Sequence, residues 1–155
     1  MNKQNQPLPN PYLKTISIIH IALTIGQLLF ASLAFIKNGS TKFELNLNDT
    51  FFIVEVILVT SSVIASNFLF KQNLDKARQQ TEVSGKLTRY QSALIIRYAL
   101  LEGPSLFGIV VYMITGNVFF LAISSALILY FLFLRPTKQM IKDDLQLSYD
   151  EAETL

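Results

Sequence analysis

The chain reads as an all-α polytopic membrane protein, with four transmembrane helices arranged as two hairpins of the same orientation. Three observations predict this. Of 155 residues, 51% are hydrophobic and only 15% are charged, where ordinary soluble domains carry about 25% charged residues. The apolar residues gather in runs of membrane-spanning length rather than in stripes at helical spacing. Finally, residues 18–30 (IIHIALTIGQLLF) and 95–107 (IIRYALLEGPSLF) are identical at seven of thirteen positions, including Gly26 and Gly103. The length fits one domain, residues 1–155.

Each span is found by the gaps between charges. Residues 15–36 hold no Asp, Glu, Lys or Arg, and about 33 Å of helix is enough to cross a hydrocarbon core. The first span is therefore set at 13–36. A second runs over 51–70, broken only by Glu55. A third, over 92–114, contains Arg97 and Glu102. Residues 103–134 are uncharged, and Thr115-Gly116-Asn117 divides them with a turn, so the fourth span is 118–134. A soluble four-helix bundle would need a polar stripe on every helix. The fourth span offers only Ser124, Ser125 and Tyr130.

Local chemistry explains the boundaries. Asn10-Pro11 supplies an N-cap followed by proline at the first helical position. Asn38-Gly39 suits a helix stop, and Arg135-Pro136 closes the fourth span. Tyr12, Tyr90 and Tyr130 at three span ends, with Tyr112 near an opposite end, read as an interfacial aromatic belt. The polar loop 71–89 is helix-prone and extends its flanking helices, with Gly85 as the break. Residues 137–147 have helix potential, and Ser148 to Glu151 have capping-box spacing. The small residues Ser61-Ser62, Ala65-Ser66 and Ser124-Ser125-Ala126 serve close helix packing.

Orientation follows from the basic residues. Ten Lys and Arg lie in the N-terminus, the loop between spans two and three, and the C-terminal segment. Only Lys37 and Lys42 lie on the other side. Both termini are expected in the cytoplasm, with 135–155 as a cytoplasmic tail. Ser32 and Ala34 have cleavage-site spacing, but the apolar region is too long for a signal peptide. Asn38-Gly39-Ser40 and Asn48-Asp49-Thr50 match glycosylation acceptors, which matter only in a eukaryotic secretory membrane.

Composition excludes several functions. There is no cysteine, one histidine and a net charge of only +2. These features disfavour thiolate metal sites, His-cluster metal sites and nucleic acid as a partner. Phosphate loops, nucleophile elbows, HExxH and dinucleotide fingerprints are missing from the sequence. The expectation is a non-enzymatic protein without cofactor or metal. Its partners would be the bilayer and either another membrane protein or a second copy of the chain.

The polar residues inside the spans are the candidate site. A charge at the bilayer centre costs roughly 2.5–3.5 kcal/mol on insertion scales. Glu102 is the deepest charge, and Arg97 lies about 7 Å nearer the cytoplasm by helical rise. Glu102 is expected to face the bundle interior or a partner subunit, with Arg97 as its nearest charge partner. Glu55 sits nearer an end of its span and carries the weaker signal. His20 matches Arg97 in the repeat, Gln27 is one heptad beyond it, and Asn67 falls at a similar depth to His20. An inner cluster of His20, Asn67 and Arg97 is expected. Three readings remain open: a structural pair or snorkelling arginine, an ion or proton path through Glu102, and contact with another subunit's charges. The last favours an accessory or structural subunit of a membrane complex; the alternative is a small proton- or ion-coupled transport component using Glu102.

Residues 99–112, ALLEGPSLFGIVVY, resemble the carboxylate helix of rotary ATPase proteolipid subunits, with Glu102 matching the ion-carrying acid. The likeness covers fourteen residues. No span has a proteolipid's dense glycine repeat, Pro104 follows the acid closely, and the acid is on the third helix; the family is not adopted. With its RPTK exit from the last span and acidic tail, the whole chain resembles small four-helix bacterial inner-membrane proteins. That resemblance implies a membrane location and no activity.

Overall fold

A computed structural model describes residues 11–148 and Glu151. The described chain is all-α: α1 (Pro11–Asn38), α2 (Thr50–Arg78), α3 (Val83–Thr115), α4 (Val118–Phe133) and α5 (Lys138–Leu145). Helices α1, α2 and α3 are long and apolar enough to cross a membrane. With 16 residues, α4 counts as a fourth only when joined to α5, from which it is bent by 77°.

The boundary chemistry is visible in the caps. Pro11 opens α1, while Asn10 lies outside the described residues. Gly39 stops α1 with φ +60, and its N–H bonds the Phe35 carbonyl at 2.7 Å. Asp49 caps α2 by accepting from the Phe51 N–H. Gly116, at φ +70, ends α3, and Asn117 caps α4 through the Phe119 N–H. Thr137 caps α5, just after Pro136. Ser148 and Glu151 exchange reciprocal bonds at 2.8 and 3.3 Å, completing a capping box.

Two expectations change. Gly85 is not the break between α2 and α3; it lies inside the first turn of α3, while the chain leaves helical geometry before Val83. The polar residues here extend both helices, because their chains are good helix formers and need no lipid. The tyrosine belt is changed in part: Tyr12 and Tyr130 are half-buried, while two of the four turn inward. Tyr90 and Tyr112 are buried, with hydroxyls bonded to Asp144 Oδ2 at 2.6 Å and the Ser40 carbonyl at 2.9 Å. Each ring fills the bundle interior while its hydroxyl meets polar groups at the end of the bundle.

Helix α3 is the hub. It packs against α2, α4 and α1. Paired residues set the directions: Glu55 against Gly108 and Asn67 against Arg97 make α2 antiparallel to α3. Asn38 of α1 reaches Tyr112 and Met113 at the end of α3, while His20 and Tyr98 meet lower down, so α1 and α3 run parallel. Two apolar cores result. One gathers Leu74, Ala77, Leu87, Tyr90, Leu94, Tyr98, Leu101 and Phe131 with Ile141, Leu145 and Leu147. The other gathers Ala34, Ile109, Val111, Tyr112, Phe120 and Ile128 near the α3–α4 turn. Along α3, Ser105 and Gly108 separate them.

The two ends are fastened differently. The 39–49 connection is latched onto the α3–α4 turn: Val118 N–H bonds the Lys42 carbonyl at 2.8 Å, and Asn117 Nδ2 donates to the Glu44 carbonyl at 2.7 Å. Phe43 and Phe52 both pack on Phe119. At the opposite end α5 docks on the α2–α3 hairpin. Arg78 Nε donates to the Asp144 carbonyl at 2.6 Å, and Lys86 pairs with Glu151 at 2.8 Å. Three buried aliphatic residues of this segment, Ile141, Leu145 and Leu147, contribute about 1.5–3 kcal/mol each.

Candidate functional site

The polar residues inside the helices separate into three places: an enclosed layer, a cluster on the α2–α4 seam, and one carboxyl at the outer face of α3.

The enclosed layer is built by heptad spacing. His20, Tyr98 and Phe131 form an aromatic level, with His20 stacked on Phe131 at 4.8 Å and edge-on to Tyr98 at 5.1 Å. Seven residues along a helix return to nearly the same face about 10 Å away. One heptad toward the α3–α4 turn, these three positions become Gln27, Ser105 and Ser124. All three are buried. Glu55 joins from α2; it is fully enclosed, and its Oε1 lies against the backbone of Gly108 beside Ser124 Oγ. The Ser124 hydroxyl bonds the Phe120 carbonyl at 3.0 Å. Neither Glu55 oxygen has a hydrogen-bond partner, and the same is true of the Gln27 amide and the Ser105 hydroxyl. Such buried groups cost about 1–3 kcal/mol each when left unmade, more when charged. Pro104, one residue before Ser105, lacks the N–H that would bond the Leu100 carbonyl in a regular helix.

Below this layer, His20 has a structural task. Nε2 donates to the Phe131 carbonyl at 2.9 Å, and Tyr98 Oη donates to the Leu134 carbonyl at 3.0 Å. The Leu134 carbonyl just past α4 would otherwise be an orphan, because Pro136 prevents the helix from continuing, while the Phe131 carbonyl also accepts from the Leu134 N–H at 3.0 Å. The Thr24 hydroxyl bonds back to the His20 carbonyl at 2.8 Å.

The expected cluster of His20, Asn67 and Arg97 forms in part. Arg97 Nη2 donates to Asn67 Oδ1 at 2.7 Å and to Tyr130 Oη at 3.4 Å, and its Cζ stands 4.6 Å over the Phe70 ring. His20 points elsewhere, into the aromatic level. The expected Arg97–Glu102 pairing is corrected as well. Arg97 faces α2 and α4, while Glu102, 140° around an ideal helix, borders the stripe of exposed Ile95, Ala99, Gly103 and Val110. Glu102 is partly exposed and forms no ion pair among the described residues. The interior position expected for it belongs to Glu55. A carboxyl's depth along a helix is readable from sequence, but its direction depends on which neighbours the helix acquires.

Gly108 and Ser105 were the residues missed. Their signal was the recurrence of small residues at Ser105 and Gly108, three apart on one face. The repeated glycines, by contrast, make no close approach: a Cβ on Gly26 or Gly103 would meet nothing within 4 Å. Among the described residues no group of three His, Cys, Asp or Glu side chains is placed to hold a metal ion.

No known family model matches the chain, and no curated protein or solved structure matches it either.

Proposed function

We propose that this chain is a non-enzymatic integral membrane protein that works as a subunit of a larger membrane assembly, with a partner protein or further copies of itself. One observation carries the reading. Glu102 stands near the middle of the most central helix, on the margin of its outward stripe, with no charge partner among the described residues. A carboxyl facing hydrocarbon is costly, whereas a second helix packed over the small neighbours Ala99 and Gly103 would supply a donor. The reading places four spans in a bacterial inner membrane with both termini cytoplasmic. It treats the likeness between residues 18–30 and 95–107 as an internal repeat of two hairpins.

Purification from membranes in mild detergent tests it, with mass determination of the intact complex. A defined assembly larger than one chain is expected, and Glu102→Leu should reduce it while leaving helix content unchanged. A monomer in native lipid overturns the proposal. Reporter fusions at residues 44 and 155 test the topology: opposite sides are expected, and the same side for both rejects it.

The enclosed layer favours a second reading, a proton- or ion-coupled transport component whose acid is Glu55 rather than Glu102. Both Glu55 oxygens are buried without a partner, as are the Gln27 amide and the Ser105 hydroxyl. Proton or cation flux in liposomes, lost in Glu55→Gln and kept in Glu102→Gln, would support it; flux indifferent to Glu55 would reject it.

A further inference from the structure

We propose that the seam between α2 and α4 binds one anionic phospholipid, with its phosphate on Arg97 and an acyl chain in the groove beside it. Arg97 carries a full positive charge and is 9% exposed, yet its hydrogen bonds go to the neutral oxygens of Asn67 and Tyr130. No carboxylate pairs with it among the described residues. Hydrogen bonds and the Phe70 ring orient the guanidinium, but none of them balances its charge.

The position suits a lipid headgroup. Arg97 lies five residues inside the apolar stretch that begins at Ser92, about 7 Å by helical rise. Its guanidinium leans on Phe70, the last apolar residue before Lys71, so the side chain reaches back toward the membrane surface. That surface is the leaflet on the side of the α2–α3 connection. Asn67 is exposed and Tyr130 is half-buried, so the polar end of the seam is open to lipid.

The hydrocarbon part has its own place. A groove of about 590 Å³ between α1 and α4 has no charged residue in its lining, but a smaller one of about 290 Å³ meets the Arg97 cluster at Tyr130. Val59, Val63, Ile123, Ala126, Leu127 and Tyr130 line it. Val63 is one turn from Asn67, whose Nδ2 bonds the Val63 carbonyl at 2.9 Å. Tyr130 belongs to both the groove and the cluster. Charge complementarity at one end and an apolar channel leading from it select an amphiphile with an anionic head. Basic pockets between membrane helices recognise phosphate headgroups in this way.

The test uses the purified full chain in detergent and native mass spectrometry, with phosphatidylglycerol and phosphatidylcholine carrying the same acyl chains. The wild type should retain phosphatidylglycerol about fivefold better. Arg97→Gln should bring the two lipids level. Asn67→Asp places a carboxylate where the amide oxygen now accepts from Arg97, keeps the shape, and should abolish the preference even if Arg97→Gln does not fold. Ala126→Phe should lower retention of both lipids by filling the groove, and sodium phosphate should displace neither. A preference that survives Asn67→Asp overturns the proposal. So do unchanged retention in Ala126→Phe and displacement of the lipid by free phosphate.

Discussion

Glu55 Oε1 rests against Gly108: a Cβ built on that glycine would stand 2.6 Å from the carboxyl oxygen and 3.1 Å from the Phe120 carbonyl, and would also strike Ser124 Oγ. The buried acid of α2 is therefore housed by the absence of a side chain on α3. Gly108→Ala should destabilise the protein by about 1–3 kcal/mol through overpacking. Adding Glu55→Ala should recover only part of that, because the Phe120 carbonyl belongs to the backbone and cannot step aside. Thermal unfolding in detergent measures both. A neutral Gly108→Ala would mean that the carboxyl is not lodged there.

Arg97 and Glu102 face different neighbours, so their effects on stability should be independent. Arg97→Gln and Glu102→Gln should combine additively within about 0.5 kcal/mol. A coupling of 1 kcal/mol or more would restore the ion pair that the spacing suggests. By the same logic Arg97 and Asn67, joined at 2.7 Å, should show such a coupling.

The end of α4 depends on side chains borrowed from α1 and α3. Tyr98→Phe deletes only the hydroxyl that serves the Leu134 carbonyl. His20→Phe keeps an aromatic ring on Phe131 but removes one of the two donors to its carbonyl. Tyr98→Phe should cost about 1–3 kcal/mol, the usual penalty for a buried acceptor stripped of its donor, and His20→Phe about 0.5–1.5 kcal/mol, because the Phe131 carbonyl keeps the Leu134 N–H. Hydrogen exchange should report the loss in residues 128–134 before it appears elsewhere. Uniform exchange across all helices would argue against a local capping role.

The docking of the C-terminal segment should depend on acid. Glu151 lies outside the apolar spans and is held down from its ordinary 4.5 to about 2, first by the Lys86 ammonium and then by the Ser148 N–H and hydroxyl. Its folded value is depressed, so the contribution is present above pH 4.5 and disappears as pH falls from 4.5 toward 2. Proteolysis of the tail should therefore accelerate over that interval. Lys86→Gln should make the tail more accessible at neutral pH and flatten the acid response. An identical pH profile in the variant would remove this ion pair from the account.

Much of the architecture was legible from one-dimensional signals. Charge-free runs located the apolar helices because each uncompensated charge in hydrocarbon is expensive. Pro11, Gly39, Gly116 and Pro136 marked ends because each imposes a backbone geometry or removes a donor wherever it occurs. The reciprocal bonds of Ser148 and Glu151 are also local, and three residues of spacing sufficed to foresee them. Gly85 misled because glycine is tolerated in a helix and here merely occupies a first turn.

By itself, then, the sequence determined the helical class, the apolar helices and the inventory of polar groups within them. Tertiary structure alone decided where those groups point. Glu55 looked peripheral, one and a half turns into its helix, but α2 packs that face onto Gly108 and encloses it. Glu102 looked central by depth, yet its side of α3 acquired no covering helix. His20 and Arg97 are equivalent in the repeat, but one caps α4 while the other bridges α2 and α4. The physical reason is that the membrane-burial signal depends on composition along the helix, whereas a residue's azimuth gains meaning only when neighbouring helices fill it. In spans apolar on nearly every side, the sequence carries no polar stripe to announce which face that will be.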